Sequence, residues 1–443
     1  MSLPPATTNA AADLIGSWAR LVDQTIGDEK VTAIFTRAMT DTLEKTARVL
    51  PDGTTYVITG DIPAMWLRDS TAQFSPFLLM MSADDAVQDL IAGLVRRQLR
   101  YICLDPYANA FNAEPSGAAY DPDDLADNPW VWEEKYEIDS LAFPLQLAYR
   151  TWRMTGRRDF LDDTAHRALR TVVRTWRVEQ EHETASRYRF RRHGMPPTET
   201  LTRDGLGSPV GPTGMTWSGF RPSDDACTYG YNVPGNLFAA TALDHVRAIA
   251  REVFHDDDLA GDARALRDEI RAGVERFGVV DHPSYGRIYA YEVDGLGGQV
   301  LMDDANLPSL LSLPHLGATD LDDPVYQATR AFVLGPDNPY HHAGRAARGV
   351  GSAHTPPGYI WPIALAVEGL TSPDPAEKLA LIQTLRDTDA GTLAMHEAFH
   401  CDDAGRYTRD WFSWGDSMFC ELVLDYCGHR VSDAVREGRH VQS

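Results

Sequence analysis

The stretch "EIDSLAFPLQLAYRTWRMTG" spans residues 137–156, and "RRDFLDDTAHRALRTVVRTWRVEQEHE" follows directly over 157–183. The first closes on Gly156, a residue that commonly sits just past a helix end. Together the two read as a helical hairpin across a short turn. The same arrangement recurs along the chain. "PGNLFAATALDHVRAIAREVF" (234–254) pairs with "DDLAGDARALRDEIRAGVERFG" (257–278). "PPGYIWPIALAVEGLTS" (356–372) pairs with "PDPAEKLALIQTLRDTD" (373–389). "SADDAVQDLIAGLVRRQLRYIC" (82–103) opens on Ser82 and acidic residues and repeats its apolar residues at helical spacing. "WGDSMFCELVLDYCGHR" (414–430) comes last. Strand signals are few and short: "TTYVITGD" (54–61), "SRYRFRR" (186–192) and "GRIYAYEVD" (286–294). Strands and helices do not alternate regularly, which excludes a parallel sheet. Serial helix pairs point to an all-α toroid or an α-solenoid. The pairs share no fixed-period repeat, which counts against the solenoid. No linker or low-complexity tract interrupts residues 1–443, so one domain is expected, with 1–15 and 432–443 as loose ends.

The composition is that of an ordinary globular chain: 443 residues, 43% hydrophobic and 24% charged. Sixty-four acidic residues against 41 basic ones give a formal net charge of -23. Such a surface repels nucleic acid and anionic membranes, so neither is an expected partner. "MSLPPATTNAAADLIGSW" lacks a basic segment followed by an apolar run, so no signal peptide is expected. No run of about 18 apolar residues predicts a transmembrane helix. The cysteines (Cys103, Cys227, Cys401, Cys420 and Cys427) are odd in number and form no CxxC pair. Free thiols in the cytoplasm are the expectation.

Function is expected in the long segments between helices: 51–76, 104–135, 203–236, 281–309, 335–362 and 389–416. They are dense in aromatic and polar residues. "GDIPAMWLRDSTAQFSPFL" holds Asp61, Trp66, Arg68 and Asp69. "LDPYANAFN" holds Tyr107 and precedes "WEEKYEIDSL". "TGMTWSGFRPSDDACTYGYNVPGN" holds Trp217, Arg221, Asp224 and Asp225. "LMDDANLPSLLSLP" holds Asp303, Asp304 and Asn306. "GVGSAHTPPGYIWP" holds His354 and Trp361, "MHEAFH" holds His396 and Glu397, and "YTRDWFSWGDS" holds Arg409.

In this order, from about residue 30 to about 427, these segments resemble the metal-independent exo-α-mannosidases of glycoside hydrolase family 125. The resemblance implies an (α/α)6 barrel, inverting hydrolysis of a terminal α-mannoside, usually α-1,6-linked, and no metal or other cofactor. The expected partner is an α-mannoside oligosaccharide or glycoconjugate. Chemistry agrees with it. An inverting glycosidase needs a carboxylic acid for the leaving oxygen and a second carboxylate for water. The resemblance puts the acid in "RPSDDA", at Asp224 or Asp225 with Asp224 preferred, and the base at Glu397. Sugars present hydroxyls and apolar ring faces, which suit a donor fork such as Arg68, an acceptor such as Asp69 and flat aromatic rings. The expected substrate-binding residues are Trp66, Arg68, Asp69, Tyr107, Trp217, Arg221, Asp304, Asn306, His354, Trp361, His396 and Arg409. Four positions depart from the usual family form: Ala398 for Ser, Asp410 for Pro, and Gly415-Asp416 for Ala-Asn.

Plainer readings compete. Trp66 and Trp361 suit a core. Arg68 with Asp69 suits a structural ion pair, Asp224-Asp225 a helix cap, and His354 and His396 satisfied core positions. His396-Glu397-Ala398-Phe399-His400 also matches the H-E-x-x-H zinc-protease pattern, with Glu421 as a conceivable third ligand. That pattern works only on a helix, where residues four apart share a face. Gly391, Thr392 and "CDDAG" leave room for only a short one. One five-residue pattern weighs little against six ordered segments. A toroidal glycosidase for another sugar or linkage, and a non-catalytic glycan binder, are the remaining alternatives.

Overall fold

The helices sort into two kinds by what their surfaces meet. A computed structural model describes residues 5–121, 124 and 127–442. In chain order the helices are α1 (Pro5–Ile26), α2 (Glu29–Asp41), α3 (Leu67–Leu78), α4 (Asp85–Leu104), α5 (Ile138–Thr155) and α6 (Asp163–Gln180). Two single turns follow, α7 (His182–Ala185) and α8 (Thr202–Gly205). Then come α9 (Val233–Ile249), α10 (Asp257–Gly273), α11 (Pro324–Val333), α12 (Pro362–Leu370), α13 (Pro375–Asp387), α14 (Ser413–Tyr426) and α15 (Val431–Gln442). Every residue of α3 is buried, as are residues 413–425 of α14 and 138–149 of α5. These helices have no wet face and so no hydrophobic stripe. By contrast α4, α6 and α10 bury one face and wet the other, the expected pattern of an outer layer.

The two kinds alternate along the chain. Outer α2, α4, α6, α11 and α13 lead to inner α3, α5, α9, α12 and α14. Inner neighbours pack α12 on α14, α14 on α3, α3 on α5 and α5 on α9. Outer α10 leads to the one inner position that is not a helix. Residues 303–316 fill it with turns around buried Leu307, Leu310, Leu311, Leu313 and Leu316. Asp303 anchors this segment, its two carboxylate oxygens accepting from the amides of Leu310 and Leu311 at 2.8 and 3.0 Å. The architecture is the expected all-α (α/α)6 toroid. Among the described residues no helix is long and apolar enough to cross a membrane.

Several local expectations change. The first helix of the quoted hairpin ends as read, on Gly156 at φ 72°, with its amide returning to Trp152. Ser82 does not start α4; Asp84 caps it, accepting from the amide of Ala86. Residues 67–76, expected to lie in a segment between helices, belong to α3. Residues 186–192 keep alternating burial but form no strand; among the described residues the contact of this backbone with its neighbour is a single bond, from the Phe190 amide to the Gly205 carbonyl at 3.1 Å. The first residues described, and 432–442 at the other end, are helical. Ala11, Ile15 and Val435 sit in the core. Residues 1–4 and 443 lie outside the described part.

Short strands run into α3, α9 and α12 and lie a few residues before α5 and α14. Met65–Trp66 pairs with Ala110–Phe111, which pairs with Val131–Glu133. Tyr231–Asn232 pairs with Glu292–Val293. Tyr359–Ile360 pairs with Ala398–His400, which pairs with Asp403–Thr408. All three sheets lie at the N-terminal ends of inner helices, so those ends gather at one mouth of the toroid.

Trp217 packs against this strand layer. It is 1% exposed and stacks on His182 with ring centres 3.5 Å apart. A Cβ at Gly230 would fall 2.1 Å from Cδ1 and Nε1 of Trp217. Gly230→Ala should therefore lower unfolding stability by about 1–3 kcal/mol, the usual cost of overpacking. Urea denaturation followed by tryptophan fluorescence checks it; an unchanged midpoint would show that this packing has slack.

Candidate active site

At the mouth where the inner helices begin, a narrow cleft is lined by Trp66, Arg68, Asp69, Ser223, Asp224, Asn306, His354, Trp361, Glu397, Arg409, Phe412 and Trp414, among others. Each comes from the start of an inner helix or the segment just before it. Trp66 caps α3, and Arg68 and Asp69 lie in its first turn. Trp361 caps α12, and Phe412 caps α14.

Arg68 is the centre of the site's charge. Its Nη1 donates to Glu137 at 2.7 Å and to Asp139 at 3.1 Å. Its Nη2 donates to Oδ1 of Asp224 at 3.2 Å, and its Nε lies 3.3 Å from Asp69. One guanidinium thus serves four carboxyl groups. Burial pushes Asp139 up to about 6 against the pull of Arg68, and burial likewise raises Asp69. Glu137 is held well above the carboxylate range, first by burial, with Asp224 and Asp139 opposing a further negative charge. Asp224 moves the other way. Burial disfavours its charge, but Arg68, a hydrogen bond from Glu137, Lys135 and His354 together outweigh it.

Asp224 sits in a tight turn at φ 67°, a left-handed conformation that Asp tolerates better than most residues. The turn closes through the Asp224 amide to the Arg221 carbonyl at 2.9 Å and the Arg221 amide to the Asp225 carbonyl at 2.8 Å. Lys135 holds it from below, donating to the Asp224 carbonyl at 2.8 Å and to Glu199 at 2.8 Å. This conformation sends adjacent carboxyls opposite ways. Asp224 lines the cleft. Asp225 is buried and accepts from Nδ1 of His354 at 3.0 Å. The imidazole rises to about 9: burial opposes its charge, but Asp225, Asp224 and Glu397 outweigh that.

Glu397 precedes the strand Ala398–His400 and faces the cleft with its side chain 11% exposed. Nη1 of Arg409 approaches its Oε1 at 3.4 Å. Arg409 also pairs with Asp61, which ties this loop to the segment before α3. His396 stays behind the strand. Its Nδ1 donates to the Arg409 carbonyl at 3.0 Å, its Nε2 accepts from Thr392 at 3.3 Å, and its ring stacks on Tyr407 at 3.6 Å. Backbone around the pattern is extended, which spaces His396 and His400 about 13 Å apart along the chain, too far to share one metal. His400 packs edge-on against Tyr359 and accepts from the amide of Asp402. Close groups of ligand-type side chains among the described residues are His400, Cys401 and Asp402, and Glu199, Asp225 and His354; neither joins His396 to His400. The helix that the zinc pattern requires is replaced by a strand.

Of the expected binding residues, Trp66, Arg68, Asp69, Asn306, His354, Trp361 and Arg409 meet at the cleft. Five sit elsewhere. Trp217 and Tyr107 belong to a buried aromatic group with Tyr136, Tyr188 and His182, and the Tyr107 hydroxyl donates to Glu179 at 2.7 Å. Arg221 donates to Glu292 at 2.5 Å and steadies the acid turn. Asp304 accepts from Ser223 and Ser352, each at 3.0 Å, and braces the same turn. His396 makes the fifth. Glu137, Asp139 and Lys135, absent from the expected set, are central. "WEEKYEIDSL" held them in plain view as a dense run of charges before an inner helix. The departures from the family form fall near the base. Asp416 accepts from the amide of Met395 at 2.7 Å and from Nε1 of Trp411 at 3.0 Å. Ala398 is fully buried, and Gly415 lies against Met395.

Comparison with known proteins agrees with this geometry. The family model described as metal-independent alpha-mannosidase (GH125) matches residues 28–424. A Schizosaccharomyces pombe protein, the meiotically up-regulated gene 157 protein, is 37% identical over 435 residues, covering 91% of this chain and 84% of its own. A Streptococcus pneumoniae structure from a family of metal-independent alpha mannosidases, in a non-productive complex with alpha-1,6-mannobiose, is 47% identical with a TM-score of 0.92. It covers 94% of this chain and 99% of its own. A point variant of a protein described simply as a glycosidase shares the fold alone, at 14% identity and TM-score 0.51 over 96% of this chain and 99% of its own.

The Asp225–His354 pair gives a pH test. A ring whose value is raised from 6.5 to about 9 adds stability that is complete below 6.5 and lost as pH rises through about 9. In Asp225→Asn the NMR titration midpoint of His354 should fall by at least roughly one unit, and this loss of stability should shrink. An unchanged midpoint would show that Asp225 does not hold the proton on the ring.

Proposed function

The chain belongs to the GH125 metal-independent alpha-mannosidase family, and from that premise we propose that it removes terminal α-mannose, preferentially α-1,6-linked, with inversion. The observation that carries the mechanism is the pair of carboxyls sharing one cleft, Asp224 and Glu397. Asp224 is the acid and Glu397 the base. Asp224 faces the cleft, with the buried Glu137 beside it on the Arg68 guanidinium. Asp225 is turned away onto His354 and serves the turn.

In the proposed reaction the terminal mannose lies between the two groups, with Trp66 and Trp361 offering apolar faces and Arg68, Asp69 and Arg409 offering polar partners to its hydroxyls. The Trp361 ring is fixed by its Nε1 donating to Thr355 at 3.0 Å. Asp224 protonates the leaving oxygen as the C1–O bond breaks. Glu397 takes a proton from the water that attacks C1 from the opposite side. Arg409, close to one oxygen of Glu397, holds that carboxylate in place for the water. Linkage preference is supported by the 47% identical structure, which was solved with alpha-1,6-mannobiose. All five cysteines are free, which supports action in a reducing compartment such as the cytoplasm.

Wild-type enzyme should hydrolyse α-1,6-mannobiose faster than the α-1,2 and α-1,3 isomers. Glu397→Gln should lose at least about a hundredfold in kcat, the usual scale of general-base help, with mannose affinity and Tm unchanged. Faster cleavage of another isomer would overturn the linkage, and a variant at near-wild-type rate would overturn the base.

A further inference from the structure

Glu137 is a fully buried acid that the two-carboxyl mechanism leaves without a task. It sits at the N-cap of α5, yet its side chain caps no amide of that helix. Its Oε2 accepts from Arg68 at 2.7 Å and from Ser140 at 2.8 Å. Its Oε1 is buried and meets no donor. The neighbouring carboxyl is Asp224: the two Nη atoms of Arg68 hold Glu137 Oε2 at 2.7 Å and Asp224 Oδ1 at 3.2 Å side by side. Two carboxylates cannot bond each other; a proton between them can. The surroundings favour one proton here and no more. Arg68 and Asp69 face the pair from α3, and Asp139 and Ser140 face it from α5. Cys227 faces Glu137 from beyond the acid turn, and Lys135 and His354 face Asp224. Arg409 adds positive charge near Asp69, but Glu137 and Asp139 share Arg68 as their cation, and one guanidinium cannot hold both ionised in a site this dry.

Resting on the assignment of Asp224 as acid, we propose that Glu137 is a positioning residue that stores the catalytic proton: Glu137 and Asp224 share one proton, kept on Glu137 in the free enzyme and on Asp224 when delivered. As the C1–O bond breaks, its electron pair stays on the leaving oxygen, which takes the shared proton from Asp224. Both carboxyls are then ionised against Arg68, Lys135 and the Ser140 hydroxyl. Glu397 holds the proton taken from water. After the products leave, Glu397 returns its proton to solvent and the pair regains one through the cleft. Storage away from solvent keeps the acid loaded to higher pH than a lone aspartate would be, as coupled carboxyls do.

The test uses two substrates. α-1,6-Mannobiose needs a proton on its leaving oxygen, whereas 2,4-dinitrophenyl α-mannoside does not. In Glu137→Gln the amide can donate to Asp224 and fixes it as carboxylate. Its kcat/KM on mannobiose should fall roughly a hundredfold, the dinitrophenyl rate should stay within a few-fold of wild type, and the basic limb of the mannobiose pH profile should move down. Glu137→Asp, which keeps a carboxyl, should recover part of the loss. Equal loss on both substrates, or no loss, would overturn the proposal. Asp224→Asn run alongside separates the two claims, because normal mannobiose turnover there would overturn the acid assignment itself. Where Glu137→Gln does not fold, infrared difference spectra of wild type with 13C-labelled glutamate decide. A protonated glutamate carbonyl band at neutral pH that fades along the basic limb supports storage, and its absence contradicts it.

Discussion

One guanidinium, that of Arg68, holds the site together. Its four carboxyl partners come from α3, from the start of α5 and from the turn before α9. Those elements are far apart in sequence, and the ion cluster ties them together at the mouth. Burying an unpaired carboxylate costs several kcal/mol. Lys135 and His354 add positive charge at Asp224 and Arg409 at Asp69, but Glu137 and Asp139 lean on Arg68, which is why a neutral acid belongs among them. The helices help. The N-terminal ends of α3 and α5 bring partial positive charge to this mouth, which favours carboxylates there.

The apolar body of the toroid makes such a cluster tolerable. A buried Leu, Ile or Phe contributes roughly 1.5–3 kcal/mol, and the inner helices bury many below their first turns. Polar chemistry is confined to the first turn and the strand before it. Short strand pairings lie at or just before these entry points. The strand carrying Ala398–His400 sets Glu397 on one side of the cleft. The turn at Asp224, braced by Lys135, Arg221 and Asp304, sets the acid within the same cleft.

The outer helices α4, α6, α10 and α13 were legible in the sequence because their apolar residues recur at helical spacing, and inner α5, α9 and α12 were read as their partners in the pairs. Inner α3 was not, because its buried first turn carries Arg68, Asp69, Ser70 and Thr71 and so resembles a polar loop. The inner position at 303–316, which is no helix at all, resembled an ordinary loop. The cleft residues Trp66, Arg68, Asp69, His354, Trp361, Glu397 and Arg409 were legible through family motifs and sugar-binding chemistry. Tyr107 and Trp217 show the limit of that reasoning, since a flat ring suits a sugar and a core equally well. Glu137 and Asp139 were unread because buried partners of a buried arginine have no local signature; only the fold brings them to Arg68. The H-E-x-x-H match failed for a related reason. Its meaning depends on a helix, and the local chain is a strand.

The account centres on an acid and a base that act from opposite sides of one sugar, with water as the only nucleophile. The anomeric configuration of the first-formed mannose tests this most directly. Proton NMR in the first minutes of α-1,6-mannobiose hydrolysis, before mutarotation, should show β-mannose. α-Mannose as first product would require a covalent intermediate on a protein carboxylate, with the two carboxyls only about 5 Å apart, and would contradict the account.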